Sequence, residues 1–285
     1  MISVFEIMTS NAKSTSASSR QQTHQTGVFV RTTPGSQSLE RGLSILRTFR
    51  QGVGLLTNAD IAERTGLVRP TVSRLCRSLV ESGFLEYDIQ RRGYRLSIAS
   101  LSLALSFRSS EPELESALAL MRELAQGRQV NVGIATADHD EMVYLESVRF
   151  SRKGIFRRIV AGSRIPIPVT SLGCAYLAGL DPVQRQLWME RWSLEQAKDW
   201  PQLDKRIQKA LRQYRVQGYC YAQWQAGMGA AAAPIHSPSG RTYAINISFP
   251  VGSGDSENVL LHLYAPLLLE LVAQIQHHWS LPKAP

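Results

Sequence analysis

Residues 58–96, NADIAERTGLVRPTVSRLCRSLVESGFLEYDIQRRGYRL, permit few folds. A short amphipathic segment stops at Gly66, and a second begins at Pro70. Glycine supplies the left-handed residue that ends a helix, and proline is tolerated in a first turn, where its missing N–H has no partner to lose. In the first segment Ile61 and Ala62 face inward, and Leu67 fills the corner after the turn. In the second, Val72, Leu75, Cys76 and Leu79 recur at helical spacing and form a buried stripe. Gly83 closes it, and FLEYDIQRRGYRLS then alternates and turns at 90–93, the pattern of a β-hairpin. Upstream, SQSLERGLSILRTFR places Leu39, Leu43, Leu46 and Phe49 on one helical face, with Ser38 as N-cap and Gly52 and Gly54 ending the helix. Three helices and a hairpin, in that order, make a winged helix-turn-helix.

The outer side of the third helix is chemically specific. Opposite the buried stripe lie Thr71, Ser73, Arg74, Arg77 and Ser78, with Arg69 just ahead of the helix. Arg91 and Arg92 occupy the hairpin tip. Guanidinium groups pair with the O6 and N7 of guanine, and short hydroxyls reach phosphates or bases. The expected DNA-contacting set is therefore Arg69, Thr71, Val72, Ser73, Arg74, Arg77, Arg91 and Arg92, with Val72 shared between this set and the stripe. Residues 36–98 carry ten arginines, no lysine and six acids, a net of +4. The whole chain carries +9, which suits a polyanionic partner. Exclusive use of arginine suits planar recognition of bases and phosphates.

The remainder reads as α+β. Residues 9–36 are rich in Ser, Thr, Gln and Asn, with almost no large apolar side chains to offset ordering, so a disordered tail over residues 1–35 is expected. Lys13, Arg20 and Arg31 lie in it, and Met8 is an alternative start. Residues 36–97 form the DNA-binding domain, 98–111 a linker helix, and 112–280 a second domain. Strands are expected at 130–137, 142–148, 154–161, 218–225, 230–236 and 242–250. Helices are expected from 112 to about 126, from Ser171, over 182–192 and 202–216, and from about 258 to 278. Strands, then helices, then strands indicate an antiparallel sheet. Three widely separated cysteines without C-x-x-C spacing point to a reducing cytoplasm rather than disulfides or zinc. No unbroken apolar run reaches the ~20 residues of a membrane span, and no signal peptide is legible, so no membrane partner is expected.

SLERGLSILRTF, ADIAERTGLVRPTVSRLCRSLVESGFLE and YRLS resemble the N-terminal domain of the IclR family of bacterial transcriptional regulators. GSRIPIPVTSLGCAYLAG (162–179), VQGYCYAQWQAGMGAAAAPIHSPSG (216–240) and YAINISFP (243–250) resemble its second half, and the likeness spans about residues 36–280. The resemblance implies a winged helix domain, a linker helix and a GAF-like effector-binding domain. It further implies a dimer or dimer of dimers and control of a catabolic operon by a small metabolite. It places the effector between the sheet and the helix beginning in TSLGCA, at Ser171, Leu172 and Gly173, with Asn246 and Ser248 on one strand face. Ala222 and Gln223, followed by Trp224, stand where relatives often carry acids, and Ile165 with Phe156 or Arg157 would wall the cavity. Without those acids, an anionic or aromatic ligand is favoured over a polyol, because a buried carboxylate would repel it. Cys174 replaces the family's usual lysine.

Two rival classes are weaker. Cys174 at a helix N-terminus, with His139 or His236 as base, would be the core of a cysteine-based enzyme, but no triad spacing accompanies it. His262, His277 and His278 lack the i, i+4 spacing of a helical metal clamp, so no metal or other cofactor is expected. GMGAAAAP lacks the ending of a phosphate loop and reads as a turn into a buried strand.

Overall fold

The computed structural model describes residues 35–150 and 159–280; the side chain of Trp224 also lies outside the described residues. The described chain divides into two compact units at 105/106.

In the first unit, α1 (Gln37–Leu46), α2 (Asn58–Thr65) and α3 (Arg69–Glu81) precede a hairpin of β1 (Leu85–Asp88) and β2 (Gly93–Leu96). Thr57 and Asp60 form a reciprocal capping box at the start of α2, and Gly66 ends it with φ 69°. Ile45, Leu56, Ile61, Val72, Leu75, Cys76, Leu85 and Tyr94 make one core. The first helix departs from expectation. Ser36, not Ser38, caps it, and it stops at Leu46, well before Gly52. Gly42 and Ile45 face the core, whereas Leu39 and Leu43 are 62% and 49% exposed. Helix α4 (Ala99–Ser109) has no buried residue, and Leu101 and Leu103 are more than half exposed.

The second unit is a six-stranded antiparallel sheet between two helical layers. Its strands are β3 (Asn131–Asp138), β4 (Glu141–Arg149), β5 (Arg164–Pro166), β6 (Cys220–Gln225), β7 (Met228–His236) and β8 (Thr242–Pro250), ordered β5-β4-β3-β8-β7-β6. Residues 151–158, including most of the strand expected at 154–161, lie outside the described residues; 159–162 are not strand, and the short β5 lies just beyond. On one face pack α5 (Glu113–Arg128) and α9 (Glu257–Ser280), against Val132, Ile134, Tyr243, Ile245, Ile247 and Phe249. On the other lie α6 (Ser171–Gly179), α7 (Pro182–Glu195) and α8 (Trp200–Gln217), whose core includes Ala135, Tyr144, Cys220, Ala232 and Ala244. Strand alternation separates the two sets: odd-numbered residues of β8 face α5 and α9, and even-numbered ones face α6.

Helix α9 is long and apolar enough to cross a membrane by length and composition, although polar residues interrupt its apolar runs. Its Leu261, Ala265, Leu268, Leu271, Ile275 and Trp279 are instead buried in the core beside α5 and the sheet. The buried Glu111 pairs with the more exposed Arg241 at 2.8 Å and accepts from the Tyr243 hydroxyl, which ties the start of α5 to β8.

Candidate functional site

The α3 helix orients its side chains by burying one stripe. Val72 and Cys76 are fully buried and Leu75 nearly so. This corrects the expected DNA-contacting set: Val72 is packed in the core and presents nothing outward. Arg69, Arg74, Arg77 and Ser78 are exposed or nearly so, and Thr71 and Ser73 are half-buried. Pro70 occupies the first turn, and the helix start has no side-chain cap, which leaves its N–H groups without a local side-chain acceptor. At the hairpin tip Arg91 and Arg92 are exposed; the Arg91 N–H donates to Asp88 at 2.9 Å, and Arg92 takes φ 51°. Arg95 is committed differently, to Glu86 at 2.8 Å.

The second candidate site is the sheet face beneath α6. Cross-strand register places side chains in rows. One row runs Arg149, Asn131, Ser248, Ala230, Ala222. The next runs Ser147, Gly133, Asn246, Ala232, Cys220. Towards β6 both rows consist of Ala and Cys, so the floor there is shallow. Asn246 is 5% exposed and hydrogen-bonds the buried Tyr144 hydroxyl. The Tyr144 ring crosses Gly133, where an added Cβ would lie 2.5 Å from Tyr144 Cε1 and 2.8 Å from Asn246 Oδ1. Burial pushes the Tyr144 phenol up, while the Asn246 hydrogen bond and the Arg149 charge pull the other way.

Above the floor, Ser171, Leu172 and Gly173 open α6 and are all buried. The Gly173 N–H is already taken: it donates to the hydroxyl of the N-cap, Thr170, at 3.2 Å. An added Cβ on Gly173 would lie 2.1 Å from the Ile167 carbonyl oxygen, so the helix rests directly on that backbone. Ile165 and Leu172 belong to the packed core of this face. A cleft of about 630 Å³ joins Pro168, Cys174, Ala222 and Gln223 to Arg206 and Lys209 of α8. Arg212 lines it too, as does one carboxylate, Glu257. These α8 cations have no signature in the sequence beyond that of an amphipathic helix. Phe156 and Arg157 lie outside the described residues, as does the Trp224 side chain.

Cys174 does not suit nucleophilic work. Burial pushes its thiol up to about 12, the reverse of the depressed value a thiolate nucleophile requires. Among the described residues no cluster of His, Cys, Asp or Glu could hold a metal ion.

Residues 38–88 match the IclR helix-turn-helix domain, and residues 110–277 match the bacterial transcriptional regulator IclR C-terminal domain. The chain belongs to the IclR family. A relative, the Pca regulon regulatory protein of Pseudomonas putida, is 27% identical over 84% of this chain and 83% of its own. The crystal structure of an IclR family transcriptional regulator from Brucella abortus is 31% identical, covers 86% of this chain and 92% of that one, and superposes with TM-score 0.74. An IclR homologue from Microbacterium hydrocarbonoxydans, complexed with 4-hydroxybenzoate, shares the fold at TM-score 0.62 and 21% identity, over 85% of this chain and 100% of that one. This IclR family member is thus a transcriptional regulator with a DNA-binding helix-turn-helix and an effector-binding domain.

Proposed function

We propose that this protein binds operator DNA through the outer face of α3 and the hairpin tip. We further propose that a small anionic or aromatic metabolite, docked between α6 and the sheet, alters that binding and so controls a catabolic operon. The observation that carries the first half is the division of α3. One side is sealed into the core by Val72, Leu75 and Cys76, and the other offers Arg69, Arg74 and Arg77 to a groove. Thr71 and Ser73 flank them, and Arg91 and Arg92 lie along the neighbouring backbone. Such a role places the protein in the cytoplasm.

For the effector, the proposed contacts are Ser171, Gly173, Ala222, Gln223, Asn246 and Ser248. A floor of alanines accepts an apolar ring, and Arg206, Lys209 and Arg212 give the adjoining cleft a positive rim that concentrates anions. The 4-hydroxybenzoate held by the Microbacterium homologue is a ligand of this class. Melting temperatures measured across aromatic acids, aliphatic acids and neutral sugars test the assignment. Aromatic acids are expected to raise the midpoint in a concentration-dependent way; stabilisation by sugars alone contradicts it.

The same reading divides the chain into a DNA-binding domain over 36–97, a linker over 98–111 and an effector domain over 112–280, and makes the protein a homodimer or a dimer of dimers. A helix with no buried residue and with Leu101 and Leu103 exposed is stabilised when a second copy covers it. Two-fold pairing then spaces half-sites about one helical turn, roughly 34 Å, apart. Leu101→Asp with Leu103→Asp is expected to shift sedimentation towards monomer; an unchanged coefficient removes α4 from the interface.

A further inference from the structure

The effector-binding face contains a charge that needs explaining. The register of β4 against β3 slips at Ile134/Ala135, where Leu145 is the extra residue. Before the bulge, Met142 and Tyr144 face α6. Beyond it the parity reverses: Glu146 and Val148 turn to the α5 side with Ile134 and Val132, and Ser147 and Arg149 come onto the α6 side with Gly133 and Asn131. Arg149 is thereby set at the end of the row Asn131, Ser248, Ala230. It is half-buried. Among the described residues no carboxylate pairs with it; the nearest acid in sequence, Glu146, lies on the opposite face and pairs with Arg108 at 3.5 Å. None of the other side chains in the two rows is ionised. A guanidinium partly withdrawn from water, in a row with the half-buried Ser248 hydroxyl, is stabilised by an anion that also accepts from that hydroxyl.

We propose that Arg149 is the specificity-determining residue that holds the acid group of the effector. A carboxylate docked at the end of this row accepts from the Arg149 fork and from the half-buried Ser248 hydroxyl. This anchor supplies what the start of α6 does not, since the Gly173 N–H there is already capped by Thr170. Arg149 thus distinguishes an acid from the neutral molecule of the same shape.

This inference rests on the reading of that face as the effector site, and the test separates the two. Calorimetric titration of the full chain and of Arg149→Gln and Arg149→Lys would use benzoate, 4-hydroxybenzoate and 4-hydroxyphenylacetate, with 4-hydroxybenzamide as the neutral counterpart. The native protein is expected to bind at least one acid more tightly than the amide. Arg149→Gln should weaken that acid roughly ten- to hundred-fold and leave the amide within about two-fold. Arg149→Lys, which keeps the charge and loses the fork, should fall between. Operator affinity without ligand and the unliganded melting midpoint should stay close to native values, which excludes simple unfolding. If the native protein binds an acid and Arg149→Gln binds it equally well, Arg149 is not the anchor and the effector site stands. If the native protein binds none of the three acids, the acid-effector reading fails and this inference fails with it.

Discussion

Gly173→Ala is expected to lower the melting midpoint of the effector-binding unit by about 6–12 °C. The added Cβ would sit 2.1 Å from the Ile167 carbonyl oxygen, 2.4 Å from its Cα and 2.6 Å from its carbonyl carbon. All three are backbone atoms, so no rotamer change relieves the overlap. Either α6 lifts from the segment before it or the segment is pushed aside, and both loosen the core around Leu172, Cys174 and Ala175. Overpacking of this kind costs ~3 kcal/mol, and a domain of 150–250 residues loses about 2–4 °C per kcal/mol. Gly127→Ala is the control. It lies in α5 with nothing within 4 Å of the added methyl, and alanine is the better helix former, so its midpoint should hold or rise slightly. Equal midpoints for the two variants in calorimetry would show that α6 is not seated on Ile167. The Gly173→Ala variant should also respond poorly to effector, because Ser171 and Leu172 move with the helix.

Arg74→Ala is expected to weaken binding to the operator by about 1–3 kcal/mol, roughly 5- to 150-fold, and to relax sequence preference at one position. The side chain lies on the face opposite Val72, where a groove-inserted helix would place its base-reading groups. Arg92→Ala should behave differently. In the proposed docking the hairpin tip contacts phosphates, so affinity should fall for operator and random duplex alike. The slope of log K against log salt becomes shallower by about 0.9 for each phosphate that is no longer neutralised. Titrations of both variants at several salt concentrations separate base reading from backbone binding. If the two variants weaken binding in the same sequence-independent way, α3 is not the reading element.

Much of this was legible because local chemistry decided it. Gly66 and Pro70 fix the two ends of the turn between α2 and α3, and the local spacing of Val72, Leu75 and Cys76 marks the side of α3 that packs into the core. The Thr170–Gly173 helix start was likewise visible as a sequence pattern. Where partners far along the chain decide, the sequence is silent. In α1 the leucine spacing was half right: Leu46, and Phe49 beyond the helix, pack against the core with the buried Gly42 and Ile45, but Leu39 and Leu43 stay out, because apolar residues at helical spacing say which side is greasy and not which neighbour covers it. The pairing of β3 with β8 joins residues more than 100 positions apart, so the rows that gather Asn131, Gly133, Asn246 and Ser248 have no local signature. Arg149 is the clearest instance. Simple alternation from Met142 puts it on the α5 side, and only the extra residue at Leu145 brings it to the face of Asn246.

If α3 reads the duplex and the face beneath α6 senses an acid, as proposed, the two events must be coupled. The most direct measurement is a footprint over the DNA upstream of the chain's own coding region, titrated with 4-hydroxybenzoate and related aromatic acids. The expected result is a protected site with two-fold symmetry whose occupancy at fixed protein changes with the acid, while neutral sugars leave it unchanged. No protection at low ionic strength, or protection indifferent to every acid offered, would contradict that coupling.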